Sequence, residues 1–198
     1  MYLLKVEDPD KLFFTSDTHL GHFNICKYCH RPFQSRSEMD QTLIANWNSV
    51  VSEDGIVVHC GDFMLPHDLN IKEYMKYLNK LNGRVLLLRG NHDIAQIGWE
   101  NEKLISVQDK AMIEVDSIKI YAEHYPCAAF NGDYHVYGHV HTLSDGICYG
   151  MDADAMKAMK RVTYDVGVDQ NNYTPISYWQ LCDIIRKQLN EGVPAKKG

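Results

Sequence analysis

Arg84-Val85-Leu86-Leu87-Leu88-Arg89-Gly90-Asn91-His92-Asp93 sets a short apolar run directly before a cluster of metal-seeking side chains. The run is too short for a helix and too apolar for a solvated sheet face, so it reads as a strand buried on both sides. Four other short runs share this layout: residues 11–16 lead to Asp17, 55–60 to Gly61-Asp62, 118–123 to His124, and 134–137 to Gly138-His139-Val140-His141. In open α/β sheets, ligands bind at the rim beyond the carboxyl ends of the strands. The recurrence therefore predicts a metal centre built on the edge of a sheet.

With 198 residues and 45% hydrophobic content, the chain can bury a full core, and it reads as a single domain over 1–198. Met1-Tyr2-Leu3-Leu4-Lys5-Val6-Glu7-Asp8 lacks a basic leader and a long apolar segment, and no stretch approaches the ~20 apolar residues needed to span a bilayer. Cytoplasm is the expected compartment, with no membrane association. A net charge of −6 argues against stable binding to the phosphate backbone of nucleic acid and favours a small substrate. The six cysteines have no export context, so reduced thiols are expected. Cys26-Lys27-Tyr28-Cys29-His30 matches the pattern of c-type haem attachment, but its surroundings make that a chance match.

Along the chain, an amphipathic helix is expected over 37–51, with Ser37 as its N-cap and Met39, Leu43, Ile44 and Trp47 at helical spacing. A second helix is expected over about 71–81, closed by Asn82-Gly83. Two strand-like runs between 106 and 124 flank a hairpin turn at Asp116-Ser117, and from there the pattern reads as antiparallel. A final strand over 163–169, a final helix over 176–189 and a polar tail over 192–198 complete the reading. Asp17 and His19 are two apart, as are His139 and His141, so an extended backbone would place each pair on one side. Carboxylate oxygen, imidazole nitrogen and amide oxygen together suit Mn, Fe or Zn rather than Ca or Mg.

Asp17-x-His19, Gly61-Asp62, Gly90-Asn91-His92-Asp93, His124 and Gly138-His139-x-His141 together resemble, in order, the motif set of the calcineurin-like metallophosphoesterase superfamily. The stretch from Phe13 to Ile25 further resembles a compact bacterial and phage branch of it. The resemblance implies an α/β fold, a four-layer αββα sandwich of two mixed β-sheets flanked by helices. It implies two metal ions, with Mn expected to support activity best. Asp17, His19, Asp62 and His141 would hold one ion, and Asp62, Asn91, His124 and His139 the other, with Asp62 as the bridge. His92 would act on the leaving oxygen as acid or charge stabiliser, and Asp93 would orient its imidazole. The implied reaction is hydrolysis of a small phosphate ester, nucleotide-type esters included, by attack of metal-activated hydroxide, with diesters slightly ahead of monoesters. The rival reading is a non-catalytic scaffold for protein interaction on the same fold.

Taken singly, Asp17 or Asp62 after a strand is more often a turn or cap residue, and Asn91 a turn residue; their joint occurrence at strand ends is what carries the reading. His22 and Asn24 suit either a place near the substrate or an ordinary loop. His59 reads as a satisfied core histidine, His67 as a turn residue, and His30 and His135 have no ligand pattern. Arg31, Arg36 and Arg89 would fit either a phosphate clamp or ordinary packing, and stay outside the expected site. Residues 143–161 read as an insertion near the site, either a lid or a surface excursion.

Overall fold

The computed structural model describes residues 1–65, 71–93, 101–143 and 162–191. Ten strands are named in chain order: β1 Tyr2–Val6, β2 Leu12–Thr15, β3 Ile56–His59, β4 Arg84–Leu88, β5 Leu104–Gln108, β6 Lys110–Val115, β7 Ile118–Glu123, β8 Tyr134–Tyr137, β9 Thr163–Asp165 and β10 Ile176–Ser177. The helices are α1 Asn24–Tyr28, α2 Arg36–Val50, α3 Ile71–Leu78 and α4 Tyr178–Glu191.

Two mixed sheets form. One has the order β10-β2-β3-β4-β5, parallel except at β10, and the other has the order β1-β6-β7-β8-β9, antiparallel only between β6 and β7. The two-residue side-chain period of a strand explains how the layers bond together. Leu12, Phe14, Val58, Leu86 and Leu88 face the second sheet and pack with Ile113, Ile120 and Val136. The intervening Phe13, Val57, Val85 and Leu87 face outward and pack with Met39, Leu43 and Trp47 of α2 and Tyr74 and Leu78 of α3. The runs were apolar at every position because β2, β3 and β4 are covered on both faces. Sheets flanked by helices are the architecture the resemblance implied.

Several local expectations change. Tyr2–Val6, read only for its lack of a leader, is an edge strand parallel to β6. The N-cap of α2 is Ser35, whose Oγ accepts from the Glu38 amide at 3.1 Å, so Ser37 lies inside the helix. Turn chemistry two residues upstream of the expected cap decided that boundary. The run from 106 to 115 divides at Asp109, with β5 in one sheet and β6 in the other. Within the second sheet only the β6–β7 hairpin is antiparallel, with Asp116 at φ 52° in its turn, while β7, β8 and β9 run parallel. The final strand stops at Asp165, and residues 176–177 are a strand before α4. His67, Cys148, the proposed insertion beyond Leu143 and the 192–198 tail lie outside the described residues.

Among the described residues no helix is long and apolar enough to cross a membrane. The described cysteines are free thiols.

Candidate metal centre

The parallel order β2-β3-β4 brings the loops carrying Asp17, Asp62 and Asn91 side by side, and the second sheet delivers His124, His139 and His141 to the same rim. Backbone hydrogen bonds stitch the loops: the Asp17 amide donates to Gly61 O at 3.0 Å, the His19 amide to Asp62 O at 3.0 Å, and the Gly138 amide to His124 O at 3.0 Å.

The side chains converge by a route the sequence did not predict. Asp17, His19, Asp62, His139 and His141 all have positive φ, between 47° and 70°. The pairs therefore do not share a side through extended backbone. Each ligand loop instead winds through the left-handed region, at a cost of roughly 1–2 kcal/mol per residue, and the surrounding hydrogen bonds hold it there. The approach is close enough that a Cβ on Gly61, itself at φ +96°, would meet His124 Nδ1 at 2.6 Å, and one on Gly138 would strike Ser16 Oγ and Asp17 Oδ2.

Two groups of donors result. Ligand atoms of Asp17, His19 and His141 lie within 4.8 Å of one another, as do those of Asp62, His124 and His139. Asp62 Oδ2 stands between the groups, 3.5 Å from His19 Nε2 and 3.6 Å from His124 Nε2. The donor chemistry fits cations. His124 Nδ1 donates to Cys60 O at 2.8 Å, which leaves Nε2 a bare lone pair, and Asn91 Oδ1 faces it at 3.1 Å. A cation between them would satisfy both acceptors at once. His19 Nε2 is likewise buried with no hydrogen-bond partner.

Electrostatics agree. Burial drives His19 well below the usual imidazole range, His124 down to about 4, and His139 downward, so each ring is neutral and can offer a lone pair. Burial raises Asp17 and Asp62, two carboxyls that are costly to keep charged without a cation. At His141 burial opposes the charged ring, but the hydrogen bond to Asp169 and the charge of Asp17 outweigh it and push the group up to about 11. These carboxylates draw positive charge to the spot, a demand that a bound cation would meet.

The profile of calcineurin-like phosphoesterases matches residues 11–127. An uncharacterized protein of Methanocaldococcus jannaschii is 34% identical over 185 residues, covering 92% of this chain and 93% of that protein. This chain belongs to the calcineurin-like phosphoesterase family. The fold is also that of a protein of unknown function from Aquifex aeolicus, at a TM-score of 0.67 and 24% identity over 88% of this chain and 98% of that one.

A cavity of about 320 Å³ opens over this candidate metal centre, lined by His19, Asp62, Asn91, His92, His139 and His141 on one side and by His22, the α1 residues Ile25 and Tyr28, and the α1 C-cap Cys29 on the other. His22 is thus at the cavity, its ring 5.5 Å from His19 and 6.1 Å from His92, whereas Asn24 is exposed at the start of α1. His135 is a core histidine, with Nε2 accepting from the Cys127 amide at 3.1 Å. His59 is only half satisfied: it contacts Thr18 Oγ1 at 3.0 Å, but its buried Nδ1 has no partner. Arg36 is exposed on α2, Arg89 pairs with Asp109 at 2.7 Å, and Arg31 is buried beneath the site, so none of the three lines the cavity.

Asp93 has a different part from the one expected. Its carboxylate accepts from the amides of Asp62 at 2.8 Å, Gly90 at 2.7 Å and Phe63 at 3.1 Å, and from Tyr74 OH at 2.8 Å, and not from the His92 ring. It clamps the loops after β3 and β4 together. Asp93→Ala should remove the acceptor shared by the buried Asp62 and Phe63 amides, the buried Tyr74 hydroxyl and the half-buried Gly90 amide, and cost about 3 kcal/mol or more. Thermal unfolding checks this, because a side chain that merely oriented His92 would leave the melting temperature unchanged.

Two residues beneath the centre escaped the sequence reading. Asp169 accepts from His141 Nδ1 at 2.8 Å, and Asp165 accepts from the Thr142 amide at 3.0 Å and the Gly167 amide at 2.8 Å. Both fell within the expected last strand, where nothing in the sequence marks an acidic side chain as turned toward the rim.

Proposed function

We propose that this chain hydrolyses small phosphodiesters at a dinuclear metal centre, with Asp17, His19, Asp62 and His141 holding one ion and Asp62, Asn91, His124 and His139 the other. The observation that carries this reading is the position of Asp62 Oδ2 between two groups of donors on the floor of an open cavity. Mn, Fe and Zn all suit the donors, and Mn is the ion we expect to sustain turnover. Such ions would supply Lewis acidity toward the phosphoryl oxygens and acidify water for attack on phosphorus. His92, whose ring lies on the cavity wall 5.3 Å from that of His19, is placed to donate a proton to the leaving oxygen.

Charge favours the diester. Among the described residues no Lys or Arg lines the cavity, so a monoester dianion would lack the cationic clamps such groups usually receive. A diester carries one charge less. The α1 wall supports a nucleotide-like or aryl ester group, because Tyr28 is 51% exposed at the cavity and meets His22 edge-on at 6.5 Å. Tyr28→Ala should raise KM for an aryl diester roughly fivefold to tenfold with little change in kcat, the worth of one aromatic contact. Unchanged KM would remove Tyr28 from the binding site.

The direct test is hydrolysis of bis-p-nitrophenyl phosphate and p-nitrophenyl phosphate by metal-stripped protein reloaded with Mn. Faster turnover of the diester is expected. Two tightly bound ions with no hydrolysis of any phosphoester tried would favour the non-catalytic scaffold.

A further inference from the structure

We propose that Arg31 and Asp169 are positioning residues, a buried brace that holds the ligands of one metal subsite and leaves the other untouched. The inference rests on the two-ion reading above and adds to it the residues that make the two subsites independently tunable.

Arg31 is 4% exposed. Its Nε donates to Asp169 Oδ1 at 2.7 Å and its Nη2 to Asp169 Oδ2 at 2.9 Å, a forked pair that lysine could not reproduce. The same guanidinium donates from Nη2 to Asp17 O at 2.7 Å and from Nη1 to Thr18 O at 3.1 Å. Asp169 Oδ2 in turn accepts from His141 Nδ1 at 2.8 Å. All three members of one donor group, Asp17, His19 and His141, thus depend on this pair, directly or through the adjoining peptide. Among the described residues no hydrogen bond joins it to Asp62, Asn91, His124 or His139.

Each contact has a physical task. Asp17 at φ 55° and His19 at φ 48° hold an unfavourable backbone, and the inward carbonyls of Asp17 and Thr18 would be orphaned without a donor. Arg31 satisfies both and so fixes the loop. By accepting the hydrogen bond from Nδ1–H, Asp169 favours the His141 tautomer whose Nε2 can offer a lone pair, and that nitrogen faces Asp17 Oδ1 at 4.0 Å. Cys29 also has its sulfur within 4.8 Å of His141 and Asp169 ligand atoms, a grouping that could pass for a third metal site. The guanidinium bound to both oxygens of Asp169 argues against it, since a cation there would face a fixed positive charge.

The test is calorimetric titration of metal-free protein with Mn(II), alongside thermal unfolding and diester hydrolysis. Wild type should take up two ions. Asp169→Asn should weaken one of them roughly 10- to 100-fold and leave the other within about twofold, with hydrolysis restored by raised Mn(II). A double variant, Arg31→Met with Asp169→Leu, removes the buried pair without leaving a lone charge and should show the same selective loss. Lower melting temperatures with both affinities intact would reduce the pair to a structural role and overturn the inference, as would equal weakening of both ions. Wild type that takes up fewer than two ions would overturn the two-ion reading itself, and this inference with it.

Discussion

Asp62→Ala is expected to lower diester hydrolysis by on the order of 10³-fold and to cut the bound metal to one ion or none, since bridging metal stabilisation is worth several kcal/mol. Asp62 Oδ2 lies close to both donor groups, 3.5 Å from His19 Nε2 and 3.6 Å from His124 Nε2. Its Oδ1 accepts the His92 amide at 2.9 Å, so the same carboxylate also sets the loop that presents His92. Asp62→Asn keeps the shape and that hydrogen bond while removing the charge. If the bridge matters through charge, the Asn variant should lose metal and rate nearly as fully as the Ala variant. Metal analysis after dialysis, paired with initial rates, decides the matter. Full activity with two ions bound to either variant would refute the bridging assignment.

His92→Ala should act on rate and not on metal. The side chain is 38% exposed and stands at 4.0 Å from Asp62 Oδ2, beside the donor groups and outside both. A lost proton donor or charge stabiliser should lower kcat roughly 10²–10⁴-fold while both ions stay bound. A substrate whose leaving group needs no proton, such as p-nitrophenolate, should suffer less than an alkyl ester. That contrast separates acid catalysis from simple positioning. Equal loss for both substrates would point to stabilisation of phosphoryl charge instead.

The two expected results depend on opposite features of the same loops. Asp62 sits in the left-handed backbone region behind Gly61, where strain and close approach fix it, whereas His92 sits on the more open wall. Asp93 links them: by gathering amides from Asp62, Phe63 and Gly90, it keeps the β3 and β4 loops at one spacing.

By itself the sequence determined the two features that depend on composition and order. Apolar runs at 56–58 and 85–88 had to be doubly buried strands, because no solvated face tolerates them, and helices duly cover one side and a second sheet the other. The order of Asp17, His19, Asp62, Asn91, His92, His124, His139 and His141 identified the family, because motifs at successive strand ends are rarely joined by chance. The edge strand β1 was illegible, since half of its side chains are solvated and its partner β6 lies over a hundred residues away. Only tertiary structure could decide which acidic residue backs which histidine. Asp169 and Arg31 are 138 positions apart and meet solely because the loop after β9 folds beneath the loop after β2. The resemblance made Asp93 a partner for the His92 ring, yet the backbone turns its carboxylate inward to amides that the sequence cannot show. Local pattern reports how a segment is buried, whereas pairing across the fold depends on where loops cross, and that is set by the packing of the two sheets.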